Sequence, residues 1–315
     1  MWRAALLFAS IAMAQDVPVF RSDVALVHVD AEVVSQDGRV LNGFTQAGFR
    51  VLDEKKPQSV AHFSETEELL DLILLFDISG SMKPKAAAVA AAAHEGLQEL
   101  RPGDRVTVMV FNSRSRVVAP FSTDLAGVER SIQELVLAER FRGATFIQSA
   151  LSNAATQFRA ESRTGRRRAV LVITDNFGQL TRREETLLRE LWEADAVVSG
   201  LIVRSGAAKT FHSIMQATHP YLYAVEVGIH GIADKTGGDF IESHAPGDDF
   251  HEAMRRLRTR YTLYYPLPDG ATPGTARSIR VELSEQAAAR YPKARLRART
   301  GYVTPQSPAT PRLQK

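Results

Sequence analysis

The chain predicts an α/β fold, a doubly wound and mostly parallel sheet inserted in, or flanked by, a small all-β sandwich-like domain. Three observations predict it. Apolar runs such as Leu72-Ile73-Leu74-Leu75-Phe76 and Val170-Leu171-Val172-Ile173 are short, continuous and bounded by polar residues, as strands buried on both faces are. Helical patterns alternate with such runs between residues 70 and 260, which implies parallel strands joined by right-handed crossovers. Period-two alternation, punctuated by turns, occupies the two ends of the chain instead.

Residues 1–14 read as a secretory leader: Arg3 is a positive n-region, residues 4–12 are apolar, and Ala12-Met13-Ala14 fits small-x-small cleavage before Gln15. The leader is too short to span a bilayer, and no other run reaches spanning length, so no transmembrane segment is expected. The protein is expected to be exported, either periplasmic or secreted. Residues 15–68 form an N-terminal β segment, with Val27, Val29, Ala31 and Val33 on one face and His28, Asp30 and Glu32 on the other. A hairpin is expected between residues 49–52 and 59–63, turning at Lys56-Pro57.

The α/β unit is expected over residues 69–260. Its strands read as 71–76, 105–111, 169–174 and 196–203, with 117–119 as an antiparallel edge. Its helices read as 84–100, with Pro at the start, then 124–138 capped by Asp124, 146–158, 183–194 and 248–260. Residues 204–232 carry no clear period, and Gly237-Gly238 turns into a last strand. Residues 261–303 return to β, with strands at 261–265, 278–283 and 294–303 that pair with residues 15–68; the Pro-rich residues 304–315 read as a disordered tail.

Composition narrows the chemistry. Of 315 residues 44% are hydrophobic and 24% charged, so a large core is available. With no cysteine, disulfides, thiolate zinc sites and cysteine nucleophiles are excluded. The net charge of +3 falls to +2 once Arg3 leaves with the leader, too small to imply a nucleic-acid partner. Basic clusters at Arg166-Arg167-Arg168, Arg255-Arg256-Leu257-Arg258 and Arg295/Arg297/Arg299 read as structural or solubilising, the last giving its strand one solvated face.

Asp77-Ile78-Ser79-Gly80-Ser81 follows the apolar run 72–76, which places a carboxylate and two hydroxyls beyond the carboxyl end of a buried strand. Ligands bind at that edge in open α/β sheets. Oxygen donors without sulfur or imidazole suit a hard dication such as Mg²⁺. On its own the pentapeptide reads equally as a turn capping the next helix. Thr145 alone reads as an N-cap and Asp175 alone as a turn residue. Both fall on later loops at the same sheet edge, and the joint appearance favours a cation.

At these residues the chain resembles the von Willebrand factor type A family, whose metal-ion-dependent adhesion site combines Asp-x-Ser-x-Ser with a Thr and an Asp on later loops. Asp77, Ser79, Ser81, Thr145 and Asp175 match all five positions in order. The flanks, with Asp37-Gly38-Arg39-Val40, Phe49-Arg50-Val51, Ile232 to Gly238, Tyr261 to Tyr265 and Arg299-Thr300-Gly301-Tyr302, resemble the secreted von Willebrand factor A-related acidobacterial domain proteins. Asn176 departs from the family at a position where Gly is frequent, as does Tyr264. The resemblance implies a metal ligand set of those five residues, Mg²⁺ as cofactor with Mn²⁺ or Ca²⁺ as alternatives, and a protein partner that completes the coordination with an Asp or Glu carboxylate. Adhesion or protein binding, and no enzyme activity, is then expected. The alternatives are a structural envelope-assembly protein with a purely stabilising metal and a metal-dependent hydrolase. The hydrolase reading is weakened because no Gly-x-Ser-x-Gly elbow, Walker A loop or His-Glu-x-x-His pair is present.

Overall fold

The computed structural model describes residues 25–65, 68–161, 165–203, 225–226 and 228–306. The expected leader, most of the expected tail and most of the unperiodic stretch 204–232 lie outside them. In chain order the strands are β1 (Leu26–Val34), β2 (Phe49–Asp53), β3 (Lys56–Gln58), β4 (His62–Glu65), β5 (Leu70–Asp77), β6 (Arg105–Phe111), β7 (Ser115–Ser122), β8 (Arg167–Thr174), β9 (Phe177–Gly178), β10 (Ala196–Val203), β11 (Val225–Glu226), β12 (Phe240–Ser243), β13 (Tyr261–Pro266), β14 (Ala276–Leu283), β15 (Arg295–Ala298) and β16 (Gly301–Val303). The helices are α1 (Lys83–Ala91), α2 (Ala93–Leu97), α3 (Leu125–Ala138), α4 (Ile147–Ala160), α5 (Glu184–Glu193), α6 (Ile229–Thr236), α7 (Pro246–Arg258) and α8 (Glu285–Arg290).

The α/β unit is built on a six-stranded sheet of order β12-β10-β8-β5-β6-β7, parallel except for the antiparallel edge strand β7. All eight residues of β5 and of β8 are buried, as continuous apolar runs require when helices cover both faces. One face packs Leu72, Leu74 and Phe76 against α1, α2, α3 and α7; the other packs Ile73 and Leu75 against α4 and α5. The expected helix 84–100 is broken at Ala92 into α1 and α2. Gly96 in α2 lies under the ring of Phe250, where a Cβ would sit 2.4 Å from a ring carbon, so α7 can approach α2 closely.

Both ends of the chain form the sandwich. Its two antiparallel sheets have the orders β15-β1-β13-β4 and β16-β14-β2-β3. β1 pairs with β13 and β15, and β14 with β2, so the α/β unit is inserted between the two halves of the sandwich. Val27, Val29, Ala31 and Val33, with Leu263 and Tyr265 beside them on β13, share one core with Phe49, Val51 and Ile279 of the other sheet.

Several local expectations change. β2 turns back through Glu54 and Lys55, both at positive φ, to pair with β3, while β4 crosses to β13; the hairpin partner of β2 is thus 56–58 rather than 59–63. The expected strand 294–303 divides at Arg299-Thr300 into β15 and β16, which lie in different sheets. The helices α6 and α8 have no counterpart in the sequence reading.

The charged face of β15 is solvated only at Arg295, and the arginines that follow it are engaged. Arg297 meets Glu32 at 3.2 Å and Asp239 at 2.8 Å, and Arg299 bonds Asp195 and the carbonyl of His28. On the same side Asp30 pairs with Arg167 at 3.1 Å, and His28 bridges Asp195 at 2.9 Å and Asp30 at 3.1 Å. The second face of β1 is therefore a buried ionic layer docked on the amino edge of the six-stranded sheet. Gly237 completes this junction at φ +81°, where a Cβ would stand 2.4 Å from the backbone nitrogen of Arg299.

Candidate metal centre

The carboxyl edge of the six-stranded sheet carries the sequence-predicted residues. β5 is a central strand between β8 and β6, and Asp77 is its last residue. One carboxylate oxygen of Asp77 accepts the backbone N–H of Ser79 at 2.8 Å, which folds the loop back over the strand end. The other accepts the hydroxyl of Thr174, the last residue of β8, at 2.7 Å. Asp77 is thereby fixed from its own loop and from the neighbouring strand β8, with 1% exposure.

Ser79 and Ser81 hydroxyls lie 3.3 Å apart, and Ser81 donates to Asp175 at 2.6 Å. The second oxygen of Asp175 accepts the backbone N–H of Phe177 at 3.3 Å. Asp77, Ser79, Ser81 and Asp175 are brought into one cluster. Among the described residues, no side-chain hydrogen bond ties Thr145 to it. Thr145 is buried at the mouth of α4, and its carbonyl accepts the N–H of Gln179 at 2.9 Å, which ties its loop to the one after Asp175. Phe146 N–H donates to Asn112 at 3.0 Å and holds that loop to the end of β6.

Asn176 adopts the conformation that its position demands. Its φ is +65°, its backbone N–H donates to the Thr174 hydroxyl at 3.1 Å, and its side-chain carbonyl accepts from Ile229 N–H at 3.4 Å. Asn is the side chain best suited to replace Gly there, because its short amide bonds locally. Tyr264, the other departure, stacks on His28 at the opposite edge, with ring centroids 5.2 Å apart.

Charge at the carboxyl edge is unbalanced. Burial first, and the like charge of Asp175 second, push the Asp77 carboxyl up to about 7 against the bonds from Thr174 and Ser79. Lys85 is the nearby cation, 3.8 Å from Asp175, and its ammonium also donates to the Val203 carbonyl at 2.9 Å. Burial lowers the Lys85 pKa while Asp175 and Asp77 act the other way. The donor set fits a hard dication: two facing carboxylates, three hydroxyl side chains and no softer ligand. Among the described residues no cluster of three or more His, Cys, Asp or Glu offers a metal site, so a cation held here depends on hydroxyl oxygens.

Sequence reasoning missed Lys85 and Thr174, each of which touches a site carboxylate. Thr174 carried a usable signal, a lone hydroxyl residue ending an otherwise apolar strand. Lys85 sits in an alanine-rich helix where it reads as a solvated residue.

No helix of the described residues is long and apolar enough to cross a membrane. No curated protein matches the chain. Among solved structures the chain is similar to an aerotolerance-related membrane protein of Bacteroides fragilis, at 15% identity over 60% of this chain and 98% of that one, with a TM-score of 0.44. It is also similar to the conserved hypothetical protein BatB of Bacteroides thetaiotaomicron, at 17% identity over 60% and 98%, with a TM-score of 0.42. A third similarity is to the manganese-loaded TRAP protein of Plasmodium vivax, at 14% identity over 71% and 96%, with a TM-score of 0.43. Residues 72–179, which contain Asp77, Ser79, Ser81, Thr145 and Asp175, match the von Willebrand factor type A domain.

Proposed function

We propose that the protein is an exported, divalent-metal-dependent binding module in which residues 69–260 carry the binding unit. Asp77, Ser79, Ser81, Thr145 and Asp175 hold Mg²⁺, with Mn²⁺ or Ca²⁺ as alternatives, and an Asp or Glu of a partner protein completes the coordination. The observation that carries this reading is the hydrogen-bonded cluster of Asp77, Ser79, Ser81 and Asp175 at the carboxyl edge of the sheet. When bound, the cation supplies a Lewis-acidic position to which a carboxylate is drawn. The chain's own residues prepare it. The Thr174 hydroxyl and Ser79 N–H orient Asp77, the Phe177 N–H orients Asp175, and Lys85 offsets part of their charge.

The arrangement supports binding rather than catalysis. Ser79 and Ser81 bond each other and a carboxylate, and among the described residues no histidine bonds either hydroxyl. Calorimetric titration with Mg²⁺ and Mn²⁺ tests the metal site: wild type binds, and Ser79→Ala or Thr145→Ala weakens binding at least about tenfold while the fold persists. Capture of envelope proteins by wild type in Mg²⁺ should disappear in chelator and in Asp77→Ala. Capture that persists in chelator while Mg²⁺ still raises the melting temperature would leave the metal a purely stabilising role.

A further inference from the structure

Beside the metal loop lies a groove of about 300 Å³ whose walls carry four arginines, Arg114, Arg116, Arg140 and Arg142. They come from two separate segments. Arg114 lies in the turn from β6 into β7 and Arg116 at the start of β7, while Arg140 and Arg142 belong to the loop between α3 and α4. Arg116 is paired with Glu139. Arg114, Arg140 and Arg142 are exposed and, among the described residues, have no carboxylate partner. Three unneutralised guanidinium groups around one concavity make a local positive field on a chain whose net charge is only +3.

The groove and the metal loop share a wall. Ile78, between Asp77 and Ser79, lines the groove, and its carbonyl accepts the backbone N–H of Arg142 at 2.9 Å. The N–H of Ile78 donates to the Phe111 carbonyl at 2.8 Å, and the Asn112 amide donates to the Arg142 carbonyl at 3.0 Å. The arginine-bearing loops are thus stitched to the loop that holds Ser79 and Ser81.

We propose that this groove receives an acidic segment of the partner, in which one carboxylate reaches the metal loop and neighbouring Asp or Glu side chains pair with Arg114, Arg140 and Arg142. The proposal rests on the metal-site reading above. Guanidinium groups recognise carboxylates bidentately, which makes the groove a selector of flanking sequence where the cation recognises only a carboxylate. Among the described residues no aromatic side chain lines the groove, so they offer none of the stacking surfaces that single-stranded nucleic acid uses.

Two synthetic peptides provide the test, one with a single Asp among Gly and Ser, the other with the same Asp flanked by Glu residues. Binding is read by fluorescence anisotropy in Mg²⁺ and in chelator, for wild type and for the combined variant Arg114→Gln/Arg140→Gln/Arg142→Gln. The flanked peptide should bind wild type on the order of tenfold more tightly than the single-Asp peptide, as a few exposed ion pairs allow. The combined variant should lose that advantage and keep its calorimetric Mn²⁺ binding, since its changes are on exposed side chains. Equal binding of the two peptides to wild type, or an advantage retained in the variant, overturns the proposal. Displacement of the flanked peptide by oligothymidylate at lower concentration than by free peptide also overturns it, in favour of a nucleic-acid surface. If Mn²⁺ fails to bind wild type while the arginine-dependent advantage survives in chelator, the groove stands and the metal reading falls.

Discussion

The two edges of the six-stranded sheet bury their charges in opposite ways. At the amino edge each carboxylate meets an arginine: Asp71 with Arg105 and Arg166, Asp30 with Arg167, Asp104 with Arg258, Glu32 with Arg297. The result is a balanced layer, and there Arg167 and His28 hold Asp30, and Arg299 and His28 hold Asp195, well below the usual carboxylate range despite burial. At the carboxyl edge Asp77 and Asp175 face each other with one lysine at 3.8 Å from Asp175, and Asp77 is pushed up to about 7. Burial of the same residue types thus has two outcomes. Where arginines complete the set, charge closes an interface; where they are missing, two buried carboxylates share one lysine.

Breaking the balanced edge should have the largest effect. Asp30→Ala leaves Arg167 without its carboxylate, leaves His28 only Asp195, and removes the acceptor of the Thr262 hydroxyl. We expect a loss of about 3–5 kcal/mol in chemical denaturation. Titrating the same layer should have a smaller effect, because the arginines keep their charge. Burial alone would lower the His28 pKa, but Asp195 and Asp30 push it up to about 10. The stabilisation from the His28 charge is therefore complete below about pH 6.5, the unfolded value, and is lost as pH rises through about 10. His28→Gln should flatten the stability–pH curve across that window and weaken the acid limb without abolishing it, because Arg167 and Arg299 still hold Asp30 and Asp195 low.

The unbalanced edge should respond to added cation instead. Mg²⁺ at a hundred times its dissociation constant should stabilise wild type by about 2.7 kcal/mol in thermal unfolding, and Ser79→Ala should cut that gain to about 1.4 kcal/mol or less. The smallest effect concerns the loop after β8. Asn176→Ala should cost about 1–2 kcal/mol for a side chain forced to positive φ, while Asn176→Gly should stay within about 1 kcal/mol. An equal cost for both would show that the Asn176 side-chain bond to Ile229, rather than the backbone conformation, holds the loop.

The parallel sheet was legible because β5 and β8 are apolar on both faces, a pattern that depends on local sequence alone. The cluster of Asp77, Ser79, Ser81 and Asp175 was legible for a related reason, since residues at the carboxyl ends of neighbouring strands must converge. The sandwich was legible as a pairing of the two chain ends, though not in its register. The turn at Glu54-Lys55 hid because charged residues rather than Gly or Asn occupy its positive-φ positions. The ionic layer hid for a deeper reason. His28, Asp30 and Glu32 alternate with apolar residues as an exposed face would, and only the packing of a second unit with matching arginines makes them interior. The arginine groove was missed because its members, Arg114 and Arg142 among them, lie on separate loops and no single window contains them.

The insertion of the α/β unit into the sandwich has a mechanical consequence. The chain enters β5 and leaves α7 at the same amino edge, where ion pairs of the buried layer tie the sandwich to the six-stranded sheet. A pull on Asp77 therefore runs lengthwise along β5, and the hydrogen bonds to β6 and β8 on either side carry it in shear, all loaded together. Peeling, which would break those bonds one at a time, is not the direction this architecture presents to a tensile load.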